Sequence, residues 1–276
     1  MNAMAQGRAI EELLARSACY HGLSMMLRHP GSDTATWLAS QEHRRLIDVL
    51  EMLMKEEGGV LRDAVRRLVT QLDAVSISEW VQEHERVFGH SVQSAAPPYE
   101  LEYGEEYSHR QPQELGDIAA FYQAFGLRAS SASHERVDHI VTECEFMQFV
   151  LYKQACALDE GSQERVEVCE AAVRQFLADH LGHWGPAFCL RLSRAASQGM
   201  LGAVAEAALA WLVQDCARLG IPVGSRDLPL RIPKERDEVG CAAACVPQEP
   251  GRADGPTTCT VLPKAGRVAG TNEVMS

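Results

Sequence analysis

Four sets of residues in this chain have types and spacings that chemistry can use. His139 and Glu143 stand four apart, next to Asp138, where a long helical pattern begins. An imidazole and a carboxylate at that spacing share a helix face and can pair. Asp138 is suited to cap the helix by accepting from its first backbone N–H groups. The same trio supports a bland reading, a cap beside a satisfied surface pair. His180 and His183, in HLGHW, lie three apart, a metal-compatible spacing that lacks a carboxylate and equally suits two helix-end histidines. Cys241, Cys245 and Cys259 are thiols in flexible sequence at x3 and x13 spacing, which soft metals accept. The segment after residue 220 holds no His to complete such a set, so they read as ordinary exposed thiols.

The fourth set is Tyr99, Glu100, Tyr103 and Tyr107 in AAPPYELEYGEEYSHRQPQELGDIAAFYQAF, residues 95–125. Pro97 and Pro98 have no N–H and exclude a helix interior, and Ala96 before them is pushed towards extended backbone. A long non-helical stretch inside a helical chain is usually functional or disordered. Its aromatic content argues for a binding surface. No Gly-flanked nucleophile, P-loop, G-x-G-x-x-G or H-E-x-x-H occurs. The chain therefore shows no recognisable catalytic machinery. The enzymatic alternative is a metal-dependent helical hydrolase built on His139, Glu143, His180 and His183.

Helices must position these groups. Apolar residues recur at helical spacing over 9–28, 34–55, the stretch after Gly58-Gly59, Ser78 to Phe88, Gln113 to Phe125, Asp138 to Leu158, Gln163 to His180, Trp184 to Ala196 and Met200 to Leu219. Gly31, Gly89, Gly126 and Gly220 punctuate them. Residues 131–139 read as a polar connection. Period-two alternation is absent, so the expected fold is all-α, one helical bundle of about nine to ten helices. The composition changes near residue 221. The last 56 residues hold seven of twelve prolines and no aromatic residue. Such a segment cannot offset its ordering entropy by burial. The expected organisation is a domain over 1–220 and a flexible, mostly irregular tail over 221–276, tacked down early by Leu228, Leu230 and Ile232.

Net charge is −12, all of it in the body. That disfavours nucleic acid and anionic membranes as partners and suits a basic peptide. No window approaches 18 uninterrupted apolar residues, and the N-terminus does not read as a signal peptide. Six of nine cysteines are scattered singly through helical patterns, as small apolar groups of a reducing compartment. The expected location is the cytoplasm.

Several groups in one order then resemble a known family: Glu83 to Phe88 running into Gly89, Pro97-Pro98-Tyr99-Glu100, Glu135-Arg136-x-Asp138-His139 with Glu143, Phe146 and Met147, and Phe176-Leu177-x-x-His180-Leu181-x-x-Trp184. Together they resemble the TorD/DmsD/NarJ chaperones of molybdenum oxidoreductases over about residues 10–220. PPYELEYG followed by Gln111-Pro112-Gln113 is most similar to chaperones serving dimethyl sulfide, selenate, chlorate and ethylbenzene enzymes. Val137 departs from a Pro the family often has there. The resemblance implies a non-enzymatic, all-helical protein with no resident cofactor, touching the molybdenum cofactor or a nucleotide at most transiently. It implies binding of the cofactor-free catalytic subunit, often through a twin-arginine signal peptide, and delayed export. An alternative within the family is a nitrate-reductase-branch chaperone that docks a non-exported subunit. The expected client surface comprises Pro98, Tyr99, Glu100, Tyr103, Asp138, His139 and Glu143, with Phe88 as an apolar wall and carboxylates that pair with client arginines.

Overall fold

The computed structural model describes residues 3–40, 42–53, 59–89, 94–104, 111–128 and 136–231. The flexible-tail reading beyond 231, the tail cysteines Cys241, Cys245 and Cys259, Tyr107 and the polar connection at 131–135 lie outside the described residues. Within them the fold is all-α, with ten α-helices and one 3-10 turn: α1 Ala3–Leu27, α2 Ser32–Ala39, α3 Glu42–Leu53, α4 Gly59–Ala74, α5 Ile77–Phe88, the 3-10 turn Glu100–Glu102, α6 Gln111–Ala124, α7 Ile140–Asp159, α8 Gln163–Asp179, α9 Leu181–Ala195 and α10 Met200–Arg218.

Three boundaries differ from the sequence reading for local reasons. The helix expected over 34–55 is two, α2 and α3. Thr36 Oγ1 donates to Ser32 O and Ser40 Oγ to Trp37 O, and such local bonding favours a turn over helix continuation. The start of α5 is capped by Ser76, not Ser78. Ser76 is extended, its Oγ accepts from Glu79 N, and the Glu79 carboxylate accepts from Ser76 N, a complete capping box. Ser76→Ala therefore lowers stability by about 1 kcal/mol, read as a shift of the urea midpoint. The start of α7 is capped by His139, not Asp138, with Val141 N donating to His139 Nδ1 at 3.1 Å. Gly89 ends α5 with φ −69, so no left-handed backbone calls for glycine there. What demands it is crowding, because a Cβ would sit 2.1 Å from Glu85 O.

α1 runs along α7, while α9 and α10 pack together against α4, α5 and α8. Their shared core holds Trp80, Trp184, Trp211, Tyr20, Phe146, Phe176 and Phe188, all nearly fully enclosed. Cys19, Cys144, Cys169, Cys189 and Cys216 are buried free thiols, as the scattered spacing suggests. α10 is long and apolar enough to cross a membrane by composition, yet 72% of that span is buried inside the protein. One polar tie crosses this core. Arg16 of α1 donates to Asp215 of α10 through Nε at 2.7 Å and Nη2 at 3.2 Å, and Tyr20 donates to the same carboxylate at 2.8 Å.

The chain leaves α10 through Gly220, at φ +65, and stays on the body to Arg231. Gly224 N donates to Gly182 O at 2.9 Å, and Arg191 donates to Leu228 O at 3.1 Å. Leu230 bridges Tyr103 antiparallel, and Arg231 reaches both Tyr103 O and the Glu114 carboxylate. Residues 221–231 thus form a strap that ties α9 and α6 to the loop after α5.

Candidate functional site

Prolines 97 and 98 hold the chain extended, and the neighbouring backbone groups then find partners across a turn. Glu100 N donates to Asp138 O and Ile140 N donates to Pro98 O, each at 2.9 Å, making an antiparallel bridge between Tyr99 and His139. The proline–tyrosine loop therefore does face the start of α7. Tyr103 closes it from behind, its hydroxyl donating to Pro97 O at 2.9 Å and its ring packing on Trp184. Burial pushes the Tyr103 hydroxyl well above its ordinary range, so it remains a donor.

Asp138 is the centre of the node and is fully buried. Its Oδ2 accepts from Leu101 N at 3.2 Å, and both its oxygens accept from Arg136, at 2.9 and 2.7 Å. The fork geometry of guanidinium on carboxylate makes this a strong, oriented pair. Arg136 also donates to Glu102 at 3.2 Å and lies 4.6 Å over the Tyr99 ring, whose edge meets His139 at 5.1 Å. One cation thus joins both sides of the loop.

A second carboxylate cluster lies deeper. Glu143, also fully buried, accepts from Trp184 Nε1 at 3.0 Å. Glu100 pairs with His180 Nδ1 at 3.1 Å. Burial first, and then the charge of Glu100, hold the Glu143 carboxyl well above its usual range. The consequence for stability follows from linkage. The folded state prefers protonated Glu143, so that contribution is complete below the unfolded value of about 4.3 and declines as pH rises through the folded value. Glu143→Gln keeps the acceptor for Trp184 and removes the charge. Its stability relative to the parent rises as pH increases from acid to neutral, in urea denaturation at several pH values, against a background of Glu100, His180, Asp138 and Arg136.

The expected site residues therefore fall into two groups. Asp138, Glu143, Tyr103 and His139 are enclosed, while Phe88, Pro98, Tyr99 and Glu100 are half-buried. The expectation that Asp138 and Glu143 face outward to receive client arginines is corrected, because Arg136 and Trp184 already hold them from within. Phe88 stacks on Phe188 with ring centroids 6.5 Å apart and meets His84 at a tilt, 4.7 Å away. Burial, with His29 second, pushes His84 down to about 4, so this wall is uncharged at neutral pH. His180 and His183 do not share a helical face, since His180 sits at the break between α8 and α9 with φ −122 and ψ −103. Among the described residues no three His, Cys, Asp or Glu side chains converge as a metal-binding group. Sequence reasoning missed the Glu100–His180 pair and the role of Arg136, for which the only signal was its position two residues before Asp138.

The node falls inside the stretch that matches a known family. A family model described as nitrate reductase delta subunit matches residues 55–190, about half the chain. That match, together with two sequence relatives, supports the resemblance to the TorD/NarJ family. A chlorate reductase assembly chaperone of Ideonella dechloratans is 35% identical over 78 residues, 28% of this chain and 39% of that protein. A selenate reductase assembly chaperone of Thauera selenatis is 33% identical over 111 residues, 38% of this chain and 56% of that protein. The chain thus spans about half the length, or less, of these curated relatives.

Proposed function

We propose that this protein is a cytoplasmic assembly chaperone that holds the cofactor-free catalytic subunit of a molybdenum oxidoreductase, including its twin-arginine signal peptide, until the cofactor is inserted. The observation that carries the reading is that two relatives matched by sequence are named reductase assembly chaperones. The contact surface is the half-buried part of the loop, Pro98, Tyr99 and Glu100, with Phe88 as its apolar wall. Asp138, His139, Tyr103 and Glu143 act from behind by fixing where that surface stands. Tyrosine and phenylalanine supply large contact area at low entropy cost, and the net charge of −12 favours a peptide with a basic start. The chaperone holds no cofactor of its own and inserts into no membrane.

Capture of the tagged chain from its native host tests this directly. A molybdenum oxidoreductase large subunit is the expected companion, and recovery of none overturns the reading. Description of the matched family as nitrate reductase delta subunit favours a second version, docking of a mature, leaderless subunit. A synthetic twin-arginine leader that competes with the captured subunit supports the first version. Failure of that leader to compete supports the second.

A further inference from the structure

On the other side of the Arg136–Asp138 turn lies a cavity that the node does not use. It measures about 560 Å³, within the range of sites that enclose ligand groups, and opens between α1, α7 and the chain leaving α6. Its floor is apolar and rigid, made by Met25, Tyr122, Phe146 and Val137, and Tyr122 is fixed by donating to Val137 O at 2.8 Å. Phe149 and Leu127 line its flanks, and Tyr152, 52% exposed, stands at the mouth.

The charge at the rim runs against that of the protein as a whole by one cation, Arg128, since Arg28 is paired to Glu145. Arg28, Arg128 and His21 line the cavity with one acid, Glu145, and Glu145 is already paired to Arg28. Arg128 is exposed and makes no ion pair among the described residues. His21 is held in place by Gln148 at 3.3 Å. A basic rim over an aromatic floor, on a body of charge −12, selects an apolar group that brings a carboxylate with it.

We propose that this cavity is a second docking pocket, taking a bulky apolar side chain flanked by Asp or Glu from an acidic peptide segment of a partner. Such a segment is opposite in charge to a twin-arginine leader, so the two contacts are not alternatives for one ligand. The pocket does not depend on the assembly reading, and failure to capture a reductase leaves it standing.

The test is selection of a random-peptide phage library on the full chain, with counter-selection on Thr142→Trp, which fills the pocket from α7. Expected winners pair an aromatic or leucine residue with an adjacent acid. A synthetic winner binds Arg128→Glu about tenfold more weakly, the loss of one charge-assisted hydrogen bond, at unchanged circular dichroism. Winners flanked by basic residues, or winners that bind Arg128→Glu as well as the parent, overturn the proposal. So does a dimer of the chain that Arg128→Glu dissolves, because a second copy then fills the pocket. Arg128 is exposed, so its variant stays informative even where Thr142→Trp fails to fold.

Discussion

Asp215→Ala is expected to lower the unfolding free energy by about 3–5 kcal/mol, the largest effect of any single substitution at a polar position described here. Asp215 is fully enclosed and Arg16 nearly so, with side chains 0% and 6% exposed. Removing the carboxylate leaves a guanidinium inside the core without its hydrogen-bonded countercharge, and strips Tyr20 of its acceptor. Tyr20 cannot respond by ionising, since burial holds its hydroxyl well above the ordinary range. Arg218 stands 3.6 Å from the same carboxylate and loses a partner as well, although Glu12 still holds it. The double substitution Arg16→Met with Asp215→Leu separates the two costs. Replacing both charges with apolar groups removes the desolvation penalty along with the attraction, so it is expected to be far milder than Asp215→Ala. Urea denaturation followed by circular dichroism reads both. A loss for Asp215→Ala below about 1 kcal/mol, the range of an exposed pair, would contradict the burial argument.

The second large effect concerns the node. Asp138→Ala combined with His139→Ala is expected to reduce client capture by about tenfold or more while α-helical content stays unchanged. The physical route is indirect. Without Asp138 the Leu101 N–H loses its acceptor in a buried setting, at a cost of about 1–3 kcal/mol, and Arg136 no longer fixes Tyr99. Without the His139 ring, Val141 N loses its cap. The loop then samples other positions and the Tyr99 surface is no longer preformed. Limited proteolysis near Pro98 checks the loosening, and capture of the oxidoreductase subunit checks the function. Tyr99→Ala is the companion variant, expected to weaken capture with a smaller change in the urea midpoint. It removes contact area and the ring's contacts with Arg136 and His139 but leaves the buried Asp138 hydrogen bonds in place. Wild-type capture by the double variant would sink the assignment of this surface to the client. The node would then be purely structural.

The helices were largely legible from spacing because each buries one stripe and is punctuated by Gly or Pro. α8 and α10 run almost where the apolar period puts them. Errors arose where one polar side chain decided the start. Ser76 and Ser78 are equally good caps on paper, and only Ser76 has Glu79 at the third helical position. At α7, Asp138 has the better capping side chain, yet the node draws its carboxylate away to Arg136 and Leu101. His139, next along, takes over the cap. A local propensity lost to a tertiary demand.

Composition and spacing by themselves determined an all-α body, the break at Pro97-Pro98, and which residues around it carry chemistry. These are properties of single residues and their neighbours: a missing N–H, a period of 3.6, a charge count. What only the tertiary structure decided is which way those residues face. Asp138 and Glu143 look from the sequence like an acidic surface for basic peptides. In the fold they are sealed behind Arg136, Trp184 and Glu100. The reason is that a carboxylate's exposure depends on partners far along the chain, 41 residues away for Trp184. No local pattern encodes that distance, and the same holds for the strap at Leu230 and for the basic rim that gathers Arg28 and Arg128 over one apolar floor.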